Sequence, residues 1–261
     1  MEEEFWHPRP EPDRPPNTYR AVINHPTDPN RTTHVALTQE HRFVLWFWNE
    51  WRSTFPPDVF SLDWHLDLAE PEPAAKQALQ NFDNIAPADL SYHIWRCMSP
   101  YNDDHLLTAA WLGIINDIWL VYKQKFRGPD TIIDRHGNSH HIYKFHSLAE
   151  AVKHYRYQHH NREVIWDIDL DYFTNSPEFI GGGDHVNRVS DDEIARAIGP
   201  NSDLASVLIP DLTGITIATE PKFCGGIKMM TQILSKVDEL FFRPSLLHHK
   251  CKWNNNYGKK N

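Results

Sequence analysis

The hydrophobic and polar positions of the chain alternate between two kinds of segment. Short apolar runs predict buried strands, and they lie near Tyr19–Asn24, His34–Leu37, Asp58–Leu62, Ile118–Tyr122, Val164–Trp166 and Ile215–Ala218. Segments with a broad apolar face predict helices, near Phe43–Trp51, Pro87–Met98, Asp104–Ile115, Leu148–Tyr155, Ser190–Ile198 and Gly225–Phe242. This alternation favours an α/β fold of three layers, α/β/α, with a mostly parallel sheet covered on both faces.

The remaining segments are predicted to be hairpins, loops and an arm. β-Branched residues flank a turn-forming segment in Thr131–Phe145, which predicts a hairpin. The Pro/Glu/Ala-rich segment Glu70–Ala75 and the glycines Gly181–Gly183 are predicted to be loops, the second at the mouth of a site. Residues 1–17 carry many prolines and charges and predict an irregular arm, whereas residues 18–261 predict a single domain.

Composition narrows the choice of partner and compartment. The formal net charge is −9 over 261 residues, so the basic patch of a nucleic-acid-binding protein is not expected. No apolar stretch approaches the roughly 20 residues that span a bilayer. The three cysteines have no CxxC spacing, and the acidic, proline-interrupted start of the chain does not resemble a secretory signal. We therefore expect a soluble cytoplasmic protein that binds neither nucleic acid nor a membrane.

Two acidic motifs follow buried strands. The motif DWHLD (residues 63–67) comes directly after the strand that ends at Leu62, and DIDLD (residues 167–171) comes after the strand that ends at Trp166. In an extended backbone, residues two apart face the same side. Ligands of open α/β sheets bind beyond the carboxyl ends of the strands. We expect the side chains of both motifs to meet there.

Carboxylates that converge in a crevice predict a bound cation. They repel one another and lose hydration, which is costly unless a cation neutralises them. A single DxD after a strand is more often a solvated turn, but two such motifs after buried strands favour a metal site. Oxygen ligands with some imidazole suit Mn²⁺ or a similar hard ion. Two such ions would activate a shared water.

The order and spacing of the motifs resemble those of the arginase and deacetylase superfamily. The motifs begin at Asp63 and Asp167, 104 residues apart, and His41 precedes Asp63 by 22 residues. The series QEH, DWHLD, DIDLDYF and TIATEPKFCGG, together with NDDH at residues 102–105, is most similar to the peptide arginases. These divergent arginase-like enzymes convert arginine to ornithine within ribosomally made precursor peptides. Typical arginases carry a GGDH-type first motif and a DxDxxDP second motif, and this chain has neither in that form.

The resemblance implies an arginase-like catalytic domain with two Mn²⁺ ions per chain. One ion would be held by His41, Asp63, Asp67 and Asp167, and the other by Asp63, His65, Asp167 and Asp169. Alternatively, Asp67 only orients a ligand. Asp171 has no counterpart among arginase ligands and is expected to bond backbone amides.

Catalytic roles follow from the same resemblance. Glu220 would hold the substrate guanidinium, Asp169 would relay a proton, and His105 would carry protons to solvent. Asp104 is expected to cap the following helix or to contact substrate. The implied reaction is hydrolysis of peptidyl arginine to ornithine and urea, with an arginine-containing precursor peptide as partner.

Three other functions fit the same motifs. A small-molecule ureohydrolase would act on free arginine, agmatine or a similar guanidine, because the metal site meets only the guanidinium end. A deacetylase-type amidohydrolase would need one Zn²⁺, an Asp-x-His pair and a distant Asp. A non-enzymatic scaffold would hold a metal and turn over no guanidine. The sequence leaves the oligomeric state open.

Overall fold

The computed structural model describes residues 14–80, 86–158, 162–178, 181–183, 185–248, 250–254 and 256–257. Within them the strands are β1 (Tyr19–Asn24), β2 (Thr32–Thr38), β3 (Asp58–Leu62), β4 (Ile118–Val121), β5 (Thr131–Ile133), β6 (Ser139–Phe145), β7 (Val164–Asp169), β8 (Thr174–Asn175), β9 (Asn187–Arg188) and β10 (Leu212–Ala218). The helices are α1 (Val44–Trp51), α2 (Pro73–Ala78), α3 (Pro87–Cys97), α4 (His105–Leu112), α5 (Leu148–Gln158), α6 (Asp191–Ile198), α7 (Asp203–Leu208) and α8 (Ile227–Phe241).

Eight strands form one sheet in the order β1-β2-β10-β7-β3-β4-β6-β5. The six inner strands run parallel, and the two edge strands β1 and β5 pair antiparallel with their neighbours. From β3 the chain adds β4 and β6 on one side, and from β7 it adds β10 on the other. The building direction therefore reverses between β3 and β7, and such a reversal opens a crevice at the carboxyl ends of the strands.

Each inner strand sends alternate side chains into two separate cores. Phe60, Leu62 and Trp166 pack on the face covered by α5, α6, α7 and α8. Val59 and Ile165 pack on the opposite face, covered by α1, α3 and α4. This alternation follows from the period of two along a strand. It confirms the predicted three-layer α/β/α fold with a mostly parallel sheet.

Most elements lie where the sequence predicts them. The strands β1 and β3 have the predicted bounds, and the Thr131–Phe145 hairpin forms β5 and β6. The helix α6 lies where predicted and opens with a capping box of Ser190 and Glu193. The prediction of a loop over Glu70–Ala75 is wrong in its second half, because α2 begins at Pro73. Proline is favoured in the first turn of a helix, where its missing N–H has no partner to lose.

Three further short elements were not predicted. The helix α7 has six residues, and the strands β8 and β9 have two each. Of the predicted arm, residues 1–13 lie outside the described residues, and Thr18 donates a hydrogen bond to the carbonyl of Pro15. Among the helices that the structure describes, none combines the length and the apolar composition needed to cross a membrane.

Candidate metal centre

Four strands deliver the polar side chains to one end of the sheet. Asp63 follows β3, Asp167 and Asp169 end β7, Glu220 follows β10, and His41 follows β2. All are buried. The two acidic motifs thus meet at the reversal point between β3 and β7, as the sequence predicts. We call this set, together with His65, Asp67 and Asp171, the acidic cluster.

His41 lies at the centre of the acidic cluster. Its Nε2 is 2.9 Å from Oδ2 of Asp167. On its other side, Nδ1 is within 3.2 to 3.4 Å of one oxygen each of Asp63, Asp67 and Asp169. A single imidazole therefore faces four carboxylates, all of which the sequence predicts as metal ligands.

Asp63 and Asp67 reach the same imidazole because the chain turns sharply after β3. The N–H of His65 donates to Oδ1 of Asp63 (2.6 Å), and the backbone of Asp67 is left-handed, with φ 46°. The chain therefore bends as it leaves the sheet. It turns His65 away from His41, so that its Nδ1 lies 2.9 Å from Oδ2 of Asp171.

Asp171 does more than the sequence predicts. Its Oδ1 accepts the Trp64 N–H (3.0 Å), which confirms the expected bond to a backbone amide. Its Oδ2, however, belongs with Asp63 and His65 to a group whose ligand atoms lie within 4.8 Å of one another. Asp171 is therefore a candidate ligand that the family pattern did not supply. Its place two residues after Asp169 was the available signal.

Two hydroxyl groups hold Asp167 from the neighbouring strands. Strand register places Ser61 of β3 and Thr216 of β10 directly beside it. The Ser61 hydroxyl donates to Oδ2 (2.8 Å) and the Thr216 hydroxyl to Oδ1 (2.5 Å). The Trp48 indole N–H donates in turn to Thr216 (3.3 Å). This arrangement fixes the orientation of the carboxylate that is predicted to bridge two ions.

Glu220 is anchored by two donors to one oxygen. The His41 N–H donates to Oε1 (3.0 Å), and the Asn102 amide also donates to Oε1. Both Asn102 and Glu220 have left-handed backbones, with φ 62° and 30°. Asparagine tolerates this region, whereas a glutamate there is strained. No local sequence pattern indicates that Asn102 is a partner of Glu220.

Asp104 and His105 lie just beyond the acidic cluster. Asp104 occupies the N-cap position of α4, as predicted, but its carboxylate accepts the Ser99 N–H (3.0 Å) and makes no side-chain capping hydrogen bond within the described residues. Its contact with substrate stays a prediction. His105, the predicted shuttle, is fully buried and donates from Nδ1 to the Asn102 carbonyl (2.9 Å).

The acidic cluster holds many buried carboxylates, and their burial and mutual repulsion shift the pKa values of its residues. Burial opposes charge on His41, but Asp167 and its neighbours outweigh burial and raise the pKa of His41 well above its ordinary value. Burial and the charge of Asp63 raise the pKa of Asp67, and burial and the charge of Asp171 raise that of Asp169. Burial and the charge of His41 lower the pKa of His105 to about 3. Because carboxylates here outnumber imidazoles, some of the carboxylates hold protons. A bound cation could neutralise them instead.

Among the described residues, several buried polar atoms in the cluster make no well-directed hydrogen bond and have only ion-pair contacts between histidine and carboxylate. They are His41 Nδ1, Asp63 Oδ2, Asp169 Oδ2 and Asp171 Oδ2. A buried polar group whose hydrogen bonding is incomplete is costly. The residues offer oxygen and imidazole ligands in a carboxylate-rich set, which suits hard divalent ions. The described residues therefore fit one or two divalent metal ions.

A cavity of about 580 Å³ leads to the cluster. It reaches His65 and Asp67 at its inner end, and Gly181–Gly183 form part of its wall, as predicted for the loop at the mouth. A Cβ at Gly181 would lie 2.8 Å from the Trp64 ring and 3.1 Å from His65 Nε2. Only glycine fits there without displacing the histidine. Glu220 is 5% exposed and is not among the lining residues.

Comparisons with known proteins find distant structural similarity to solved structures and no match in sequence. The sequence matches no protein-family model and no curated protein. The solved structure of proclavaminate amidino hydrolase from Streptomyces clavuligerus is similar with a TM-score of 0.42 and 15% identity, over 77% of this chain. The chain spans 59% of the length of that structure. The activity of this protein therefore has to be inferred from the site itself.

We predict that divalent metal affinity rises with pH. The pKa values of His41 and His65 are raised by their carboxylate neighbours, against the effect of burial, so both imidazoles hold protons at neutral pH. A metal ligand must be deprotonated, so binding releases protons and weakens as the pH falls. Titration calorimetry with Mn²⁺ at about pH 6 and about pH 8 should show at least about tenfold tighter binding at the higher pH. Equal affinity at both would contradict protonated ligands.

We predict that Thr216→Val weakens metal binding although the residue is not itself a ligand. The change removes the hydroxyl that orients Asp167, and loss of such an orienting partner typically costs about 10–100-fold in metal affinity. Thr38→Val is the matched control, because Thr38 is equally buried but its hydroxyl has no partner. Equilibrium dialysis against Mn²⁺ measures both. Wild-type affinity in Thr216→Val would show that its hydroxyl does not matter.

Proposed function

We propose that this protein hydrolyses the guanidinium group of arginine residues in a peptide, giving ornithine and urea, with two divalent metal ions, expected to be Mn²⁺. The observation that carries the proposal is the position of Glu220. This buried carboxylate lies beside a ligand set for divalent ions, with an oxygen within 4.8 Å of ligand atoms of Asp169 and Asp171. A guanidinium is a planar cation, and a carboxylate beside the metal ligands could hold it close to them.

The chain's own groups account for substrate binding. Burial and the charges of Asp169 and Asp171 raise the pKa of Glu220 well above its ordinary value. A guanidinium cation would offset those charges and hold Glu220 ionised, through charge-assisted hydrogen bonds. The donors from His41 and Asn102 fix one oxygen of Glu220. Its carboxylate is therefore oriented before substrate arrives, which reduces the entropy lost on binding.

The reaction also needs an attacking water and a protonated leaving amine. A pair of divalent ions, when bound, lowers the pKa of a water for attack and stabilises developing negative charge. Water adds to the guanidinium carbon, the bond from that carbon to the side-chain nitrogen breaks, and urea leaves. The ornithine nitrogen must take up a proton. Asp169 is the proposed relay, because its carboxylate lies beside both the expected metal ligands and Glu220, which would hold the guanidinium.

The cavity supports a substrate larger than free arginine. Its wall carries two exposed aromatic side chains, Tyr101 (71% exposed) and Phe126 (42% exposed). It also carries the carboxylates Asp103 and Glu178. Aromatic rings give large contact areas to extended chains, and acidic groups favour a cationic segment. We propose that these four residues contact the peptide on either side of the target arginine.

The first experiment compares peptide with free arginine. The Mn²⁺-loaded protein is incubated with an arginine-containing peptide blocked at both ends, and separately with free arginine and agmatine. Urea is assayed, and ornithine in the peptide is detected by mass spectrometry. We expect ornithine in the peptide and little turnover of the small guanidines, and Asp167→Ala should abolish the activity. Turnover of free arginine or agmatine alone would overturn the peptide substrate and support a small-molecule ureohydrolase.

We predict that Glu220→Gln impairs substrate binding more than metal binding. Glutamine keeps the acceptor oxygen that His41 and Asn102 use but loses the charge that holds a guanidinium. A hydrogen bond to a charged group contributes about 1.5–3 kcal/mol, so kcat/KM should fall at least about tenfold. Glu150→Gln is the control, because it removes the same charge from the exposed surface of α5, outside the residues that line the cavity. Unchanged kinetics in Glu220→Gln would remove the assignment.

A further inference from the structure

His105 is enclosed by residues of the acidic cluster and does not line the cavity. Its ring centroid is 4.1 Å from that of His41 and 5.8 Å from that of Trp48. One of its ring nitrogens lies within 4.8 Å of ligand atoms of both His41 and Asp167. It is 0% exposed and is not among the residues that line the cavity. A relay to solvent needs contact with water, which this position does not offer.

The hydrogen bond of His105 leaves one nitrogen with a free lone pair. A carbonyl oxygen only accepts, so Nδ1, 2.9 Å from the Asn102 carbonyl, carries the proton and donates it. Nε2 is then an acceptor. It is buried and has no hydrogen-bond partner within the part of the chain that the structure describes. Metal-binding histidines almost always donate their other N–H to a carbonyl or carboxylate, which fixes the ring and the tautomer.

We propose that His105 is a third imidazole ligand of the metal centre, binding through Nε2 alongside His41 and His65. The inference rests on the two-ion centre of the proposed function and changes the role of His105 from proton shuttle to ligand. It gives the unpartnered Nε2 a partner. It also explains why Asn102, with its left-handed backbone, offers its carbonyl to His105 while its side chain holds Glu220. Asn102 thereby couples the metal ligand to the substrate carboxylate.

The first test needs no variant. X-ray absorption of the wild-type protein loaded with Co²⁺ counts the imidazoles around the metal by their characteristic scattering. Three imidazoles per ion pair are expected, from His41, His65 and His105. Two imidazoles would overturn the proposal while leaving a two-ion centre in place.

The second test removes the imidazole. His105→Gln and His105→Ala are compared with His25→Gln. This control replaces another buried histidine, which is bonded to the Ile209 carbonyl and follows β1 at the end of the sheet away from the acidic cluster. Mn²⁺ per chain is measured after equilibrium dialysis, and circular dichroism of the metal-free proteins reports folding. In both His105 variants we expect either one ion in place of two or an affinity loss beyond the 10–100-fold typical of an orienting partner. The His25 control should bind as the wild type does.

The outcomes distinguish failure of the His105 ligand role from failure of the proposed function. Full metal occupancy with slow turnover in the His105 variants would overturn the ligand role and favour the shuttle. Failure of the wild-type protein to bind any divalent ion would overturn the metal centre and the proposed function together. If neither His105 variant folds, the imidazole count in the wild-type protein still decides the question.

Discussion

Mutual repulsion among buried carboxylates is the constraint that organises this end of the molecule. Five aspartates and Glu220 share a small volume around His41, away from water that would screen them. The protein holds them together with imidazoles, hydroxyl groups and backbone amides, each fixed by the strand or turn that carries it. These partners orient the carboxylates, and the two protonated imidazoles neutralise only part of their charge. Bound cations would compensate the remaining charge, and a cationic substrate would add to the same compensation.

The sequence predicted the fold well because the signals for it are local. Buried strands, amphipathic helices and a capping box are patterns of neighbouring residues, and so are DxHxD and DxD. The convergence of the two motifs followed from a general rule about parallel sheets. The helix α2 was missed because a proline-rich segment reads as a loop, although proline suits the first turn of a helix.

The remaining parts of the site depend on tertiary structure. Ser61 and Thr216 matter only because the register of three strands places them beside Asp167, and no local pattern reports that register. Asn102 reaches Glu220 across 118 residues of sequence. Asp171 joins His65 only because the segment after β3 bends. The roles of the other site residues came from motif order and spacing, and those roles remain predictions.

The pairing of β7 with β3 and β10 would give a bound metal ion a part in folding. Successive side chains of a strand point to opposite faces, so a slip of β7 by one residue would turn Asp167 and Asp169 away from His41 and bring Ile168 in their place. Divalent ions would bind the correctly aligned sheet and reject the slipped one. A ligand that binds only the native arrangement stabilises it by mass action. Bound ions would thus favour the native strand register over a slipped one, so that assembly of the metal site and correct alignment of the central strands would occur together.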